Sequence, residues 1–101
     1  MATEGKREEI DAKIKAWEQE LERLRVALAR APDTVHLQYY PTFVEVYRLK
    51  EVVKSRWEAM RGVYRPEPME MERFQKALSS MEKAWATAQP MFADVLKPKA
   101  A

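Results

Sequence analysis

His36 is the only histidine in this sequence, and it is the first residue to consider as a catalytic base or metal ligand. The chain has no cysteine, so His36 has neither a thiolate nor a second imidazole with which to share a transition metal. A single histidine without a partner nucleophile, base or ligand has no defined chemical role. We therefore expect His36 to be a solvated residue in a loop.

Glutamates cluster within residues 18–22 and 67–72 and could be imagined as a paired-acid glycosidase site. Helical spacing directs neighbouring side chains to different faces, and acids early in a helix favour its dipole. We expect these groups to be solvated. The sequence also has no glycine-rich phosphate loop, nucleophile elbow or Glu-x-x-His pair. It therefore predicts a protein that is not an enzyme, with no catalytic residue, cofactor or metal site.

The charge balance selects no polyanionic partner. Eighteen basic and sixteen acidic residues leave a formal charge of +2, which is too weak to steer nucleic acid onto the chain. Residues 45–61 hold a small local excess of basic side chains without a known docking motif. We predict no nucleic-acid binding and expect this stretch to lie beside more acidic parts of the chain.

Apolar residues recur in alternating steps of four and three over three long stretches, which is the pattern of helices packed as a coiled coil. The sequence therefore predicts an all-α, antiparallel three-helix coiled-coil bundle, with helices over about 3–31, 34–62 and 66–96. Short, proline-containing connections make neighbouring helices antiparallel. We expect one domain over 1–101, with a disordered tail from about 97.

The start of the second helix has two interpretations. The helix can begin near Thr34, with Asp33 and Thr34 as a capping pair, and bend at Pro41; or Pro41 can be its first helical residue after a longer loop. Matched helix lengths favour the bent helix. Gly62 is a candidate cap for its carboxyl end.

The heptad positions give a predicted core, which only Lys50 interrupts. We expect Trp57 to face Phe74 across the bundle. The predicted core residues are Ile10, Ile14, Trp17, Leu21, Leu24, Leu28, Phe43, Val46, Val53, Trp57, Met60, Phe74, Leu78, Met81, Trp85 and Phe92.

Another group of apolar residues falls outside these heptad positions. They are either isolated apolar side chains on an ordinary surface, or an interaction surface that a second copy or another helix covers. The predicted interaction surface comprises Val35, Leu37, Tyr40, Val44, Tyr47, Met69 and Met91, to which Val63 and Ala86 can be added.

Two segments, KIKAWEQELERL at 13–24 and MEKAWATA at 81–88, resemble parts of small bacterial coiled-coil proteins of about this length. The resemblance implies a short helical bundle, in some cases with a stress-related role, and supplies no catalytic residue. The segment VHLQYYPTFVEVY departs from that pattern.

From these features we expect a non-enzymatic interaction or scaffold module that binds a protein partner or forms a homodimer. The alternative is an amphipathic, phasin-like coat on a lipid or granule surface, motivated by uncharged residues 84–93. The absence of cysteine and of a secretory signal pattern favours the cytoplasm.

Overall fold

Three helices of equal length form the chain in a computed structural model that describes residues 2–63 and 65–96, with side chains from Arg7 onward. The helices are α1 (Ala2–Arg30), α2 (Asp33–Arg61) and α3 (Pro68–Leu96), each of 29 residues. All three pairs of helices are in contact, in a rod of 53 × 23 × 18 Å. The predicted all-α three-helix bundle is confirmed. The predicted tail from about 97 lies outside the described residues.

Helix α2 begins at Asp33 and continues through Pro41, so the interpretation in which Pro41 opens the helix is wrong. Proline has no N–H for the carbonyl of Leu37, four residues earlier. Both residues are exposed, so water can bind that carbonyl. Pro90 lies inside α3 in the same way. Ala86, four residues earlier, has the carbonyl that lacks a donor, and it is also exposed.

The ends of α2 differ in detail from the expectation. The N-cap is Pro32, whose carbonyl accepts a 3.0 Å hydrogen bond from the backbone N–H of His36, and no side chain caps the helix. The expected capping pair is therefore wrong, because the helix begins one residue early and Asp33 lies in its first turn. Gly62 is the C-cap, at φ −91° and ψ −2°.

Helix α3 begins at Pro68 rather than at the expected Pro66. Proline suits the first helical position because that position needs no N–H donor. The carbonyl of Glu67 accepts a 3.1 Å hydrogen bond from the N–H of Met71, which closes the first turn. The connection between α2 and α3 is consequently longer than the sequence predicts.

The core contains the heptad side chains of all three helices. Trp57 packs on Phe74 with ring centroids 5.2 Å apart, as expected. Its indole Nε1–H also donates a 2.7 Å hydrogen bond to Asp11. The buried apolar residues are Ile14, Trp17, Leu21, Leu24, Leu28, Phe43, Val46, Val53, Trp57, Met60, Phe74, Met81, Ala88 and Phe92.

Three members of the predicted core, Ile10, Leu78 and Trp85, are only partly buried and pack against the core from its edge. Three helices cannot enclose every side of an apolar stripe, so positions at its margin remain partly open to water. Trp85, for example, lines a groove between α1 and α3.

Ion pairs join α2 to the acidic positions of α1, as the sequence predicts. Lys54 Nζ lies 3.0 Å from Glu18, and Arg61 lies 2.6 Å from Asp11. These pairs fix α1 and α2 in an antiparallel register, because the later residue of α2 pairs with the earlier residue of α1. Among the residues described, no helix is long and apolar enough to cross a lipid bilayer.

Candidate interaction surface

Four large apolar side chains of α2 are exposed to solvent in a single row. Leu37 is 73% exposed, Tyr40 38%, Val44 48% and Tyr47 44%. Their spacing of three, four and three residues places them on one face of the helix. We call this row the α2 stripe. The stripe unites four of the residues that the sequence predicts as an interaction surface.

The remaining predicted surface residues do not join the α2 stripe. Val35 and Met91 are partly buried, so they contribute little apolar area to the surface. Met69 is 61% exposed but lies at the start of α3, whereas Val63 lies in the connection before it. Both are at the opposite end of the bundle from the start of α2. Met71 nearby is also exposed, at 45%, but within the described part of the chain no ring or ion contact holds these three side chains, and exposed apolar residues of this kind are common on protein surfaces.

The tyrosine rings of the stripe belong to a continuous row of aromatic contacts. The ring of His36 lies 4.8 Å from that of Tyr40. Phe43 follows at 6.1 Å from Tyr40 and 6.0 Å from Tyr47, all in tilted geometry. Phe43 is buried, so it connects both exposed tyrosines to the core. We call the row from His36 to Tyr47 the aromatic ladder.

His36 attaches one end of the aromatic ladder to α1. Its Nδ1 lies 3.0 Å from the carbonyl oxygen of Leu28, which can only accept, so Nδ1 donates the hydrogen bond. The Leu28 carbonyl belongs to the last turn of α1 and also accepts a 3.3 Å hydrogen bond from the backbone N–H of Ala31. The expectation of a solvated loop histidine is wrong: His36 lies in the first turn of α2 and is partly buried.

Lys50 closes the other end of the aromatic ladder. Lys50 occupies a heptad position between Val46 and Val53, and its side chain is only 3% exposed although it carries a charge. The Lys50 Nζ lies over the Tyr47 ring, 4.1 Å from the centroid, and donates a hydrogen bond to Glu51. The carboxylate and the aromatic face both stabilise the buried ammonium. The same contact restricts the motion of the Tyr47 ring.

The arrangement around Glu51 favours the ionised form of its carboxyl group. The hydrogen bond from Lys50 holds the pKa of the Glu51 carboxyl below its ordinary value, and the Tyr47 hydroxyl adds a smaller effect in the same direction. The Glu51 side chain is 49% exposed, so solvent reaches the carboxylate while Lys50 is buried behind it.

The clustered glutamates of α1 participate in ion pairs on the surface. Glu20 pairs with Arg23 at 2.9 Å and Glu22 with Arg25 at 2.6 Å, each within α1. Over residues 7–63 and 65–96, no group of three histidine or carboxylate side chains is arranged to hold a metal ion. These acids behave as solvated, paired surface groups.

A groove between α1 and α3 is a further concave feature, with a volume of about 560 Å³. The charged side chains at its rim already have partners: Arg23 pairs with Glu20, and Lys13 lies 3.6 Å from Glu82. Gln89 is the uncharged polar side chain of its lining, and the groove otherwise presents mainly apolar area. Its apolar lining comprises Trp17, Leu24, Trp85, Phe92 and Leu96.

Comparison of the chain with protein-family models, curated proteins and solved structures finds no match. The resemblance of residues 13–24 and 81–88 to small bacterial coiled-coil proteins accordingly stays a prediction.

Proposed function

We propose that this chain is a non-enzymatic helical interaction module that binds a partner helix through the α2 stripe. The observation that carries the proposal is that the stripe is exposed and that its two tyrosines are held by ring and cation contacts. Exposed apolar rows are typical of surfaces that another molecule covers. A row in 3 and 4 spacing suits a helix, because a partner helix presents its own side chains at the same period.

Restriction of the two tyrosines before binding supports the proposal. Tyr40 is held between His36 and Phe43, and Tyr47 between Phe43 and Lys50. Side chains that are ordered in advance lose less conformational entropy when a partner binds. Tyrosine is also among the residues that contribute most to binding energy at protein interfaces.

A photo-crosslinking residue at position 44 tests this proposal, with the same residue at position 69 as the matched control. Both positions are exposed and apolar, but only Val44 belongs to the stripe. Position 44 should capture a reproducible partner or a second copy of the chain, and Val44→Glu should prevent capture by a crosslinker at position 40. Equal labelling from positions 44 and 69, with a strictly monomeric mass by light scattering, would contradict the proposal.

A lipid- or granule-surface coat is the second candidate, because an apolar row could also enter an interface. Helices that lie on membranes usually carry several Lys and Arg beside the apolar face. Here Asp33 and Glu51 bracket the row, and Arg48 beside it pairs with Glu45. Flotation with vesicles separates the two candidates: a coat protein floats with the lipid, and an interaction module stays in solution.

A further inference from the structure

The α2 stripe continues into a carboxylate at each end. Asp33 lies four residues before Leu37, and Glu51 lies four residues after Tyr47, so both share the heptad line of the stripe. Both acids are exposed. At 1.5 Å per residue they lie about 27 Å apart along the helix. One face of α2 therefore carries the four apolar residues of the α2 stripe with an acidic residue at each end.

The Glu51 carboxylate is available to a partner although it already contacts Lys50 and also lies within the field of Lys54. Lys50 is buried, whereas about half of the Glu51 side chain is exposed. A carboxylate accepts several hydrogen bonds at its two oxygens, so a second cation can approach from solvent. Asp33 lies in the first turn of α2, where no side-chain cap bond is formed.

A second copy of the chain fits this line poorly. Antiparallel pairing about a centre between Tyr40 and Val44 places Leu37 opposite Tyr47. The same pairing places Asp33 opposite Glu51 at both ends. Parallel pairing places each carboxylate opposite its own copy. Juxtaposed like charges disfavour a pairing, so both arrangements are opposed at the ends of the stripe.

We propose that the occupant of the α2 stripe is an amphipathic helix of a different protein, with apolar residues in 3 and 4 spacing and a Lys or Arg one turn beyond each end. This inference rests on the proposed function and specifies the chemistry of its partner. From Asp33 to Glu51, the residues of this line are spaced by four, three, four, three and four positions. This spacing is the same in both directions, so such a helix can dock in either orientation.

Two synthetic helical peptides test the inference on the full chain. Both span about 27 Å and carry leucines in the 3 and 4 spacing. One has Lys at each end of the leucine line, and the other has Glu there. Fluorescence anisotropy should show the Lys peptide binding roughly tenfold more tightly at low salt, with the difference shrinking when salt screens exposed charges. The double variant D33N/E51Q should lose the preference for the Lys peptide, and Val44→Glu should bind neither. Circular dichroism checks that each variant remains helical.

The outcomes separate this inference from the proposed function. Equal binding of both peptides, still abolished by Val44→Glu, overturns the charge inference and leaves the interaction surface in place. Failure of both peptides while position 44 captures a partner also overturns the inference alone. Self-association that Val44→Glu abolishes identifies a second copy as the occupant, and flotation with anionic vesicles identifies a lipid surface; either result overturns the inference. Failure of both peptides and of crosslinking overturns both proposals.

Discussion

Replacement of Lys50 by Met should stabilise the bundle, although it removes an ion pair. Lys50 is 3% exposed and Glu51 is about half exposed. The variant loses a charge-assisted hydrogen bond of about 1.5–3 kcal/mol and a cation–π contact of about 0.5–2 kcal/mol. It gains the desolvation free energy of a buried ammonium, which is several kcal/mol; the methylenes of Lys50 are already buried, so the methionine adds little further apolar burial. We expect a net gain of about 1–2 kcal/mol, at the low end of the range for buried ion pairs replaced by apolar residues, because only the buried partner is replaced and Glu51 remains facing water.

Removal of the other partner of this ion pair, Glu51, should destabilise the bundle. Glu51→Ala leaves the Lys50 ammonium buried, with the Tyr47 ring as the contact that remains from this cluster. Stranding a buried charge costs about 3–5 kcal/mol, and exposure of the ion pair on the Glu51 side reduces that figure to about 1–3 kcal/mol. Lys50→Met leaves Glu51 facing water, which solvates it. The two partners of one hydrogen bond are therefore expected to differ in the sign of their effect.

Urea denaturation followed by circular dichroism measures both variants. Lys50→Met should raise the unfolding midpoint, and Glu51→Ala should lower it, with the slope unchanged if the same surface is exposed on unfolding. In a thermal scan, about 1 kcal/mol corresponds to about 4–8 °C for a domain of this size. A Lys50→Met protein that keeps its helix content but unfolds at a lower urea concentration than the wild type would refute the reasoning. Weaker Lys-peptide binding by that variant would additionally indicate that Lys50 positions Tyr47.

Three further predictions follow from local geometry. Gly62→Ala should raise stability by about 0.4–1 kcal/mol in urea titrations, because Gly62 has φ −91°, a Cβ there meets nothing within 4 Å, and alanine restricts the unfolded chain. Trp57→Phe should lower it by about 1–3 kcal/mol, because the hydrogen bond to Asp11 is lost while most of the ring is kept; no change in midpoint would contradict this. Since the folded-state pKa of Glu51 lies below its ordinary value of 4.5, its contribution to stability is complete above that pH and is lost as the pH falls through the folded-state pKa. Acid titration of unfolding should show this loss in the wild type and a smaller one in Lys50→Met.

The helices could be predicted from the sequence because long runs with one period leave few alternatives. Proline positions set the ends of α1 and α3 to within two residues. Pro41 was ambiguous, because a proline at the first helical position and one inside a helix give the same local sequence. The structure distinguishes them through exposure: the carbonyl that Pro41 leaves without a donor belongs to exposed Leu37.

The interaction surface could be predicted only in part. Leu37, Tyr40, Val44 and Tyr47 follow from heptad counting, since apolar residues off the core line must lie on another face. The contacts that fix them could not be found this way. His36 donates a hydrogen bond to a backbone carbonyl of another helix, and the spacing of residues in the sequence does not predict such a bond. Lys50 interrupts the heptad visibly, but sequence cannot say whether a lysine extends to solvent or remains buried.

Substitutions at buried and exposed residues of this region of α2 should separate effects on folding stability from effects on partner binding. The buried member of the aromatic ladder, Phe43, lies between Tyr40 and Tyr47, so truncating it should reduce both folding stability and partner affinity. Leu37 is 73% exposed and Val44 48%, so polar replacements should change stability by less than about 0.5 kcal/mol at Leu37 and by less than about 1 kcal/mol at Val44. If they nevertheless abolish peptide binding, the α2 stripe serves a partner and not the fold. A large loss of stability from Val44→Ser would instead mean that these side chains support the bundle itself, and the case for an interaction surface would fall with it.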